Sequence, residues 1–187
     1  MSARPRLLFM AKPQSEVLSA METAVSASGL DVKLGAALFM PENWHQSLSA
    51  TYQRNTDADV ERLLRAGSRI NATAVTVRLN RIRSQGSRAG QIHWAFLAQG
   101  NPDGFRELVC AVQAAMRAEG IEEHIIHHPH LTISYRAPSR LLAQKIAPID
   151  WIIDAVLLVE GSGQPYRYTT LAQWPLVPAP LRQLPLF

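Results

Sequence analysis

The sequence predicts an α+β fold: two antiparallel sheets facing a central cleft, with helices outside. Three observations lead there. Short apolar or alternating runs recur between segments of helical period. Two of the alternating runs follow one another closely enough to pair as a hairpin. Two short histidine-hydroxyl stretches, His45-Gln46-Ser47 and His130-Leu131-Thr132, stand in comparable places of the two halves, so the plan reads as duplicated and bilobal.

Arg6 to Ala11 is apolar and is stopped by Lys12-Pro13, which predicts a buried first strand. From Ser15 to Ser28, Val17, Met21, Ala24 and Val25 recur at helical spacing before Gly29, so a helix follows. Leu34 to Met40 is expected to be extended, and Pro41-Glu42-Asn43 then turns the chain into a second strand over Trp44 to Leu48. Thr56 with Asp59 three residues on reads as a helix cap, and Val60, Leu63 and Leu64 give the apolar stripe of a helix to about Arg69. Arg54, Arg62, Arg65 and Arg69 are expected to form mostly its solvated face. Thr73 to Asn80 alternates, Arg81 to Gly90 reads as a hairpin connection, and Gln91 to Leu97 is the antiparallel partner.

Asn101-Pro102 opens the strongest helix, with Phe105, Leu108, Val109, Val112, Ala115 and Met116 on one face and Gly120 at its end. Pro129 holds His128 extended before a strand from His130, which Pro138 ends. Ser139 to Ala147 is expected to be a short helix, Asp150 to Glu160 one strand with an irregularity, and Tyr166 to Trp174 the closing strand. Residues 177–187, rich in proline, are expected to form a tail without regular structure. The chain of 187 residues is expected to be a single domain, residues 1–187, of two intimately packed lobes.

An apolar share of 47% and a charged share of 18% are those of a globular protein and argue against extensive disorder. The formal charge is +4, and lysine supplies only Lys12, Lys33 and Lys145 of the 19 basic residues. Arginine suits a phosphate with its planar fork, although an arginine-rich composition explains the excess equally well. A lone Cys110 excludes an internal disulfide and a thiolate-rich metal site. No run is long and apolar enough to span a membrane and the start lacks a secretion signal, so no membrane partner is expected and the cytoplasm is the expected compartment.

Side chains alternate across a strand, so His130 and Thr132 share one face while Leu131 and Ile133 take the other, and His45 and Ser47 repeat the arrangement. Two imidazoles can act as acid and base in one reaction, and hydroxyls two residues along can donate to phosphate oxygens. That chemistry requires no metal and no cofactor. Taken singly, each triplet is more often an ordinary strand surface. His124, His127, His128 and His130 show no carboxylate-supported ligand pattern, so none is assigned to a metal.

His45-Gln46-Ser47-Leu48 and Pro129-His130-Leu131-Thr132-Ile133 resemble the two signatures of the 2H (two-histidine) phosphoesterase superfamily. The likeness is to its LigT-like branch of 2′-5′ RNA ligases and RNA 2′,3′-cyclic phosphodiesterases. It covers the opening strand and helix, the Trp94 strand, the long helix before the second signature and the closing Leu158 to Leu176. The resemblance implies a bilobal pseudo-symmetric fold and metal-independent hydrolysis of a 2′,3′-cyclic phosphate to a 2′-phosphomonoester, with reversible 2′-5′ ligation by the same chemistry. It makes His45 and His130 the catalytic pair and Ser47 and Thr132 the phosphate-binding hydroxyls. His45 is read as acid and His130 as base, a polarity that spacing leaves open. RNA ends or small nucleotide cyclic phosphates are the implied partners, and a monomer is favoured. Tyr168, Arg136 and His93 are candidates for lining the cleft. Relatives often carry arginine shortly after the second signature; here Tyr135 comes first, which leaves the face of Arg136 open. A noncatalytic phosphate- or RNA-binding module on the same scaffold is the alternative.

Overall fold

Strand β1 (Arg6–Ala11) is buried on both faces. Leu7, Phe9 and Ala11 enter the main core, while Leu8 and Met10 form a smaller cluster with Val159 on the opposite side. The structure, a computed structural model, describes residues 5–88, 91–123 and 127–179. Helix α1 (Ser15–Ala27) buries Met21 and Val25, as their spacing predicts. Leu34 to Met40 is not extended. Leu30 and Leu34 are one helical turn apart and both buried, so they close the short helix α2 (Leu30–Leu34), and a 3-10 turn follows over Gly35–Ala37. Gly29 and Gly35, at φ of 63° and 48°, take the left-handed conformations that bracket α2.

The second strand is shorter than expected. Only β2 (Gln46–Ser47) pairs with β1, and after a break β3 (Tyr52–Gln53) pairs with the other end of the same strand. Helix α3 (Asp57–Ser68) starts in the predicted capping box of Thr56 and Asp59, an arrangement worth about 1 kcal/mol. Its arginines are more than a solvated face. Arg62 donates to the Glu119 and Gly120 carbonyls, Arg65 and Arg69 pair with the Glu119 carboxylate, and Arg54 holds Asp57 and Glu160.

Strand β4 (Val75–Arg88) runs well past Asn80, with an irregularity after Leu79, and pairs with β5 (Gln91–Ala98). Residues 81–88 of the expected connection are therefore strand. Helix α4 (Asp103–Ala118) buries all six of its predicted core residues. After β6 (His130–Ser134), the expected helix over 139–147 gives way to β7 (Gln144–Ile153). Pro148 is tolerated there because β7 is a sheet edge, where a missing N–H breaks no ladder on the outer side. Asp154 separates β7 from β8 (Ala155–Ser162), so Asp150 to Glu160 is two strands in two sheets. Strand β9 (Arg167–Pro175) closes the first sheet. Val177 still bridges to Thr73, and residues 180–187 of the expected tail lie outside the described residues.

One sheet has the order β2-β1-β8-β9, with β3 also on β1, and the other β6-β5-β4-β7. Each half thus contains a strand, a helix and a short antiparallel edge strand: β1-α1-β2 and β5-α4-β6. The two edge strands that carry the histidine motifs lie against each other. Helix α1 packs on β7, α4 on β4, and α3 on β8, β9 and α4. No helix of the described residues is long and apolar enough to cross a membrane.

Gly67 lets the indole of Trp174 lie directly on α3, where a Cβ would meet the ring. Gly67→Ala is expected to lower the unfolding free energy by about 1–3 kcal/mol, the usual range for overpacking. Urea denaturation checks this, and an unchanged midpoint would show that the indole yields freely.

Candidate active site

His45 leads into β2 and His130 opens β6, so each imidazole sits at the start of an edge strand. The Nδ1 of His45 lies 2.7 Å from the Asn43 carbonyl, and that of His130 lies 2.8 Å from the His128 carbonyl. A carbonyl can only accept, so both Nδ1 atoms carry the hydrogen and Nε2 is the nitrogen left for a ligand. The same device, reaching back two residues, occurs in both halves.

Along β6, Leu131 and Ile133 are buried in the core while His130 and Thr132 are half-buried on the other face. Against β5 the register shifts by one residue between Thr132 and Ser134. This bulge re-aims the chain, and Tyr135 joins Thr132 at the cleft instead of pointing away from it. The strand has ended by then: Ser134 Oγ accepts the Arg136 N–H at 3.1 Å, and Arg136 also turns to the cleft.

The cleft has a volume of about 640 Å³. Its walls include His45, Thr132, Tyr135, Arg136, Tyr166 and Tyr168, with Arg6 at the side and Leu8 beneath. Ser47 and His130, half-buried on the same two motifs, are not among the residues of the wall. Tyr168 meets His45 edge-on at 4.9 Å between ring centroids. His93 is not part of the wall; it packs behind Tyr135 at 4.7 Å. Among the described residues no aspartate or glutamate lines the cleft, while two arginines do, so its wall is positively charged.

Burial is the main force on the titrating groups. It pushes His45 down to about 4, against the pull of the Asn43 carbonyl, and positive charge on Lys12 and His130 lowers it further. Lys12 acts there because Met10 faces Ser47 and Ala11 faces Gln46, so the chain leaves β1 at Lys12 on the side where His45 enters β2. His130 is lowered too, first by burial and then by His127, His128 and His93, with the His128 carbonyl opposing. Burial raises the Tyr135 and Tyr168 phenols, which keeps both as neutral hydrogen-bond donors at neutral pH.

No family model matches the sequence, and no curated protein matches it either. Solved structures do. A protein described as a phosphoesterase superposes with a TM-score of 0.74 at 19% identity, over 94% of this chain and 99% of its own. E. coli LigT complexed with 3′-AMP gives 0.74 at 20% identity, over 93% and 99%. This chain has the LigT fold. The protein TT0787 of Thermus thermophilus shares it, with a TM-score of 0.66 at 20% identity over 91% and 97%. LigT is thus matched along nearly its whole length, with no lobe missing.

Two buried polar residues in this LigT-like scaffold escaped the sequence reading. Gln46 is fully buried, and its side chain crosses to the second motif, where Oε1 accepts the His130 N–H at 2.6 Å. Glu123 accepts from the Ala50 N–H at 2.6 Å, the Tyr52 hydroxyl at 2.9 Å and His127 Nε2 at 3.0 Å. It ties the segment after the first motif to the loop before the second, and it gives His127 a partner of its own. His124 lies outside the described residues. A polar residue on the inward face of a strand was the available signal for Gln46, since Leu131 fills the matching place in the other motif.

The lowered affinity of His45 couples proton binding to stability. An unfolded imidazole takes its proton near pH 6.5, while folded His45 resists to about 4, so this contribution is intact above pH 6.5 and is lost as pH falls through about 4. Urea denaturation across that window is expected to show a falling unfolding free energy, and His45→Asn to flatten the slope. A variant slope equal to the parent's would mean that His45 titrates normally.

Proposed function

We propose that this chain is a 2H phosphoesterase that opens 2′,3′-cyclic phosphates, at RNA ends or on small nucleotides, to 2′-phosphomonoesters. The observation that carries this reading is the doubled imidazole geometry: two Nδ1–H groups tied to carbonyls leave two Nε2 atoms free, one on His45 in the wall of the positively charged cleft and one on His130 of the adjoining strand β6, near enough for its charge to act on His45. The fold shared with LigT, a protein solved in complexes with 3′-AMP, ATP and phosphate, supports a nucleotide or phosphate ligand. The molecule works as one domain, because each half supplies one histidine.

In the proposed step the oxygen of water bonds to phosphorus and the bond from phosphorus to O3′ breaks. His130 Nε2 takes a proton from the attacking water as His45 Nε2–H gives one to O3′. Ser47 and Thr132 donate to the non-bridging oxygens, and Arg6 and Arg136 balance their charge. Both imidazoles are neutral in the free protein at neutral pH, so the acid gains its proton in the presence of the bound anion, whose charge raises its affinity. A low intrinsic affinity makes His45 the stronger acid once it is protonated. With a ribose hydroxyl of a second RNA in place of water, the same transfers give a 2′-5′ linkage. A module that only binds RNA would use the arginines but would have no need of two opposed Nε2 atoms.

The assay is hydrolysis of a short RNA ending in a 2′,3′-cyclic phosphate, with the monoester identified. Activity is expected to persist in chelator and to fall by about 10²–10⁴ in His45→Ala and in His130→Ala. Binding without turnover in the parent protein would leave only the noncatalytic module, and a 3′-monoester would overturn the bond assignment.

The pH profile gives a second test. One histidine must be charged and the other neutral, and both are held below the ordinary value of 6.5, so kcat/KM is expected to peak on the acid side of pH 6.5. This holds whichever residue is the acid. A maximum above neutral pH would contradict the buried, depressed pair.

A further inference from the structure

Gln46 occupies in the first motif the place that Leu131 occupies in the second, one residue after the histidine and facing inward. Both side chains are fully buried. A buried amide without partners is costly, and Gln46 finds its partners largely in the opposite lobe. Its Oε1 accepts the His130 N–H at 2.6 Å. Its Nε2 donates to the Ser47 carbonyl at 2.8 Å and, more weakly, to the His128 carbonyl at 3.4 Å. That His128 carbonyl also receives the Nδ1–H of His130. The amide therefore grips the second motif on both sides of Pro129, at the carbonyl that orients the ring and at the N–H of the residue that bears it.

Resting on the phosphoesterase reading, we infer that Gln46 is a positioning residue for His130: the first motif sets the orientation and proton affinity of the imidazole in the second. Gln46 touches no reacting atom. It acts through the backbone from His128 to His130, so its loss leaves the ring present but free to turn. Half-buried His130 then exchanges a fixed Nε2 for a range of orientations, while His45, held by the Asn43 carbonyl of its own lobe, keeps its place.

Two variants test this. Gln46→Met keeps the length of the side chain and removes both kinds of hydrogen bond; Gln46→Glu keeps the acceptor for His130 and loses the donor. Gln46→Met is expected to lower kcat about tenfold to a hundredfold, the scale of a misplaced catalytic group, with KM nearly unchanged. In nitrogen-labelled protein its His130 Nδ1–H signal should broaden and the His130 titration should move, while the His45 titration stays where it was. Gln46→Glu should fall between parent and Gln46→Met in kcat and in the sharpness of the His130 Nδ1–H signal, while its added charge raises the proton affinity of His130. Unchanged kcat and unchanged His130 ring signals, with only stability reduced, would show that Gln46 merely fills space and would overturn the inference. If Gln46→Met does not fold, Gln46→Glu and the exchange rate of the His130 amide in the parent decide, and an amide exchanging as fast as unstructured chain counts against the inference. A parent protein without turnover would refute the phosphoesterase reading alone, because the ring signals and titrations report on Gln46 without any substrate.

Discussion

The edge-to-edge meeting of β2 and β6 is the constraint on which the site depends. Each strand is the border of its own sheet, and an unpaired border is normally an invitation to another chain. Here the two borders face each other without forming a common ladder, and side chains satisfy what the backbone leaves open. Gln46 takes the His130 N–H of β6, and Glu123, just before β6, takes the Ala50 N–H beyond β2. A continuous ladder through the junction would join the sheets and close the space in which a ligand must sit. Side-chain bridges hold the edges at a fixed separation and keep that space.

Electrostatics follow from the same arrangement. Imidazoles at a sheet junction are partly withdrawn from water, which disfavours their charged forms, and the carbonyl accepted by each Nδ1–H only partly offsets the loss. The arginines at the rim, Arg6 and Arg136, are exposed to water. The cleft thus combines a positive rim with one ionisable imidazole in its wall and a second on the adjoining strand β6. The closing strand contributes tyrosines whose phenols stay neutral, so hydrogen bonding from this side brings no competing negative charge.

Much of this was legible from residue order. The alternation around His130, the capping box of Thr56 and Asp59, and the stripe of α4 each follow from a local period, and local periods survive folding. What misled was context. Gln144 to Ala147 has a helix-compatible composition, but β4 offers a ladder that outweighs a weak preference, and Pro148 is harmless on an outer edge. Asp154 divides two strands because the chain changes sheets there, a fact no window of sequence contains. The histidines and hydroxyls were visible because their spacing carries their meaning. Lys12, Arg6, Glu123 and Tyr166 were not, since only the register and the return of distant strands bring them to the motifs.

The two halves repeat a plan, yet the surroundings of their two imidazoles differ. The difference arises in the strands beside them. Next to His130 the β5 ladder places Leu97, an apolar neighbour, whereas the β1 register runs on from Met10 and Ala11 to put Lys12 beside His45. A positive neighbour weakens the hold of His45 on its proton, and the energy between two such charges at close range is several times larger near a protein surface than in bulk water. Burial, with Lys12 adding to it, holds the first histidine down to about 4, while burial and the neighbouring His127, His128 and His93 lower the second. Pseudo-symmetry supplies two equivalent positions, and different neighbours, Lys12 beside one and His127, His128 and His93 around the other, give them different electrical surroundings.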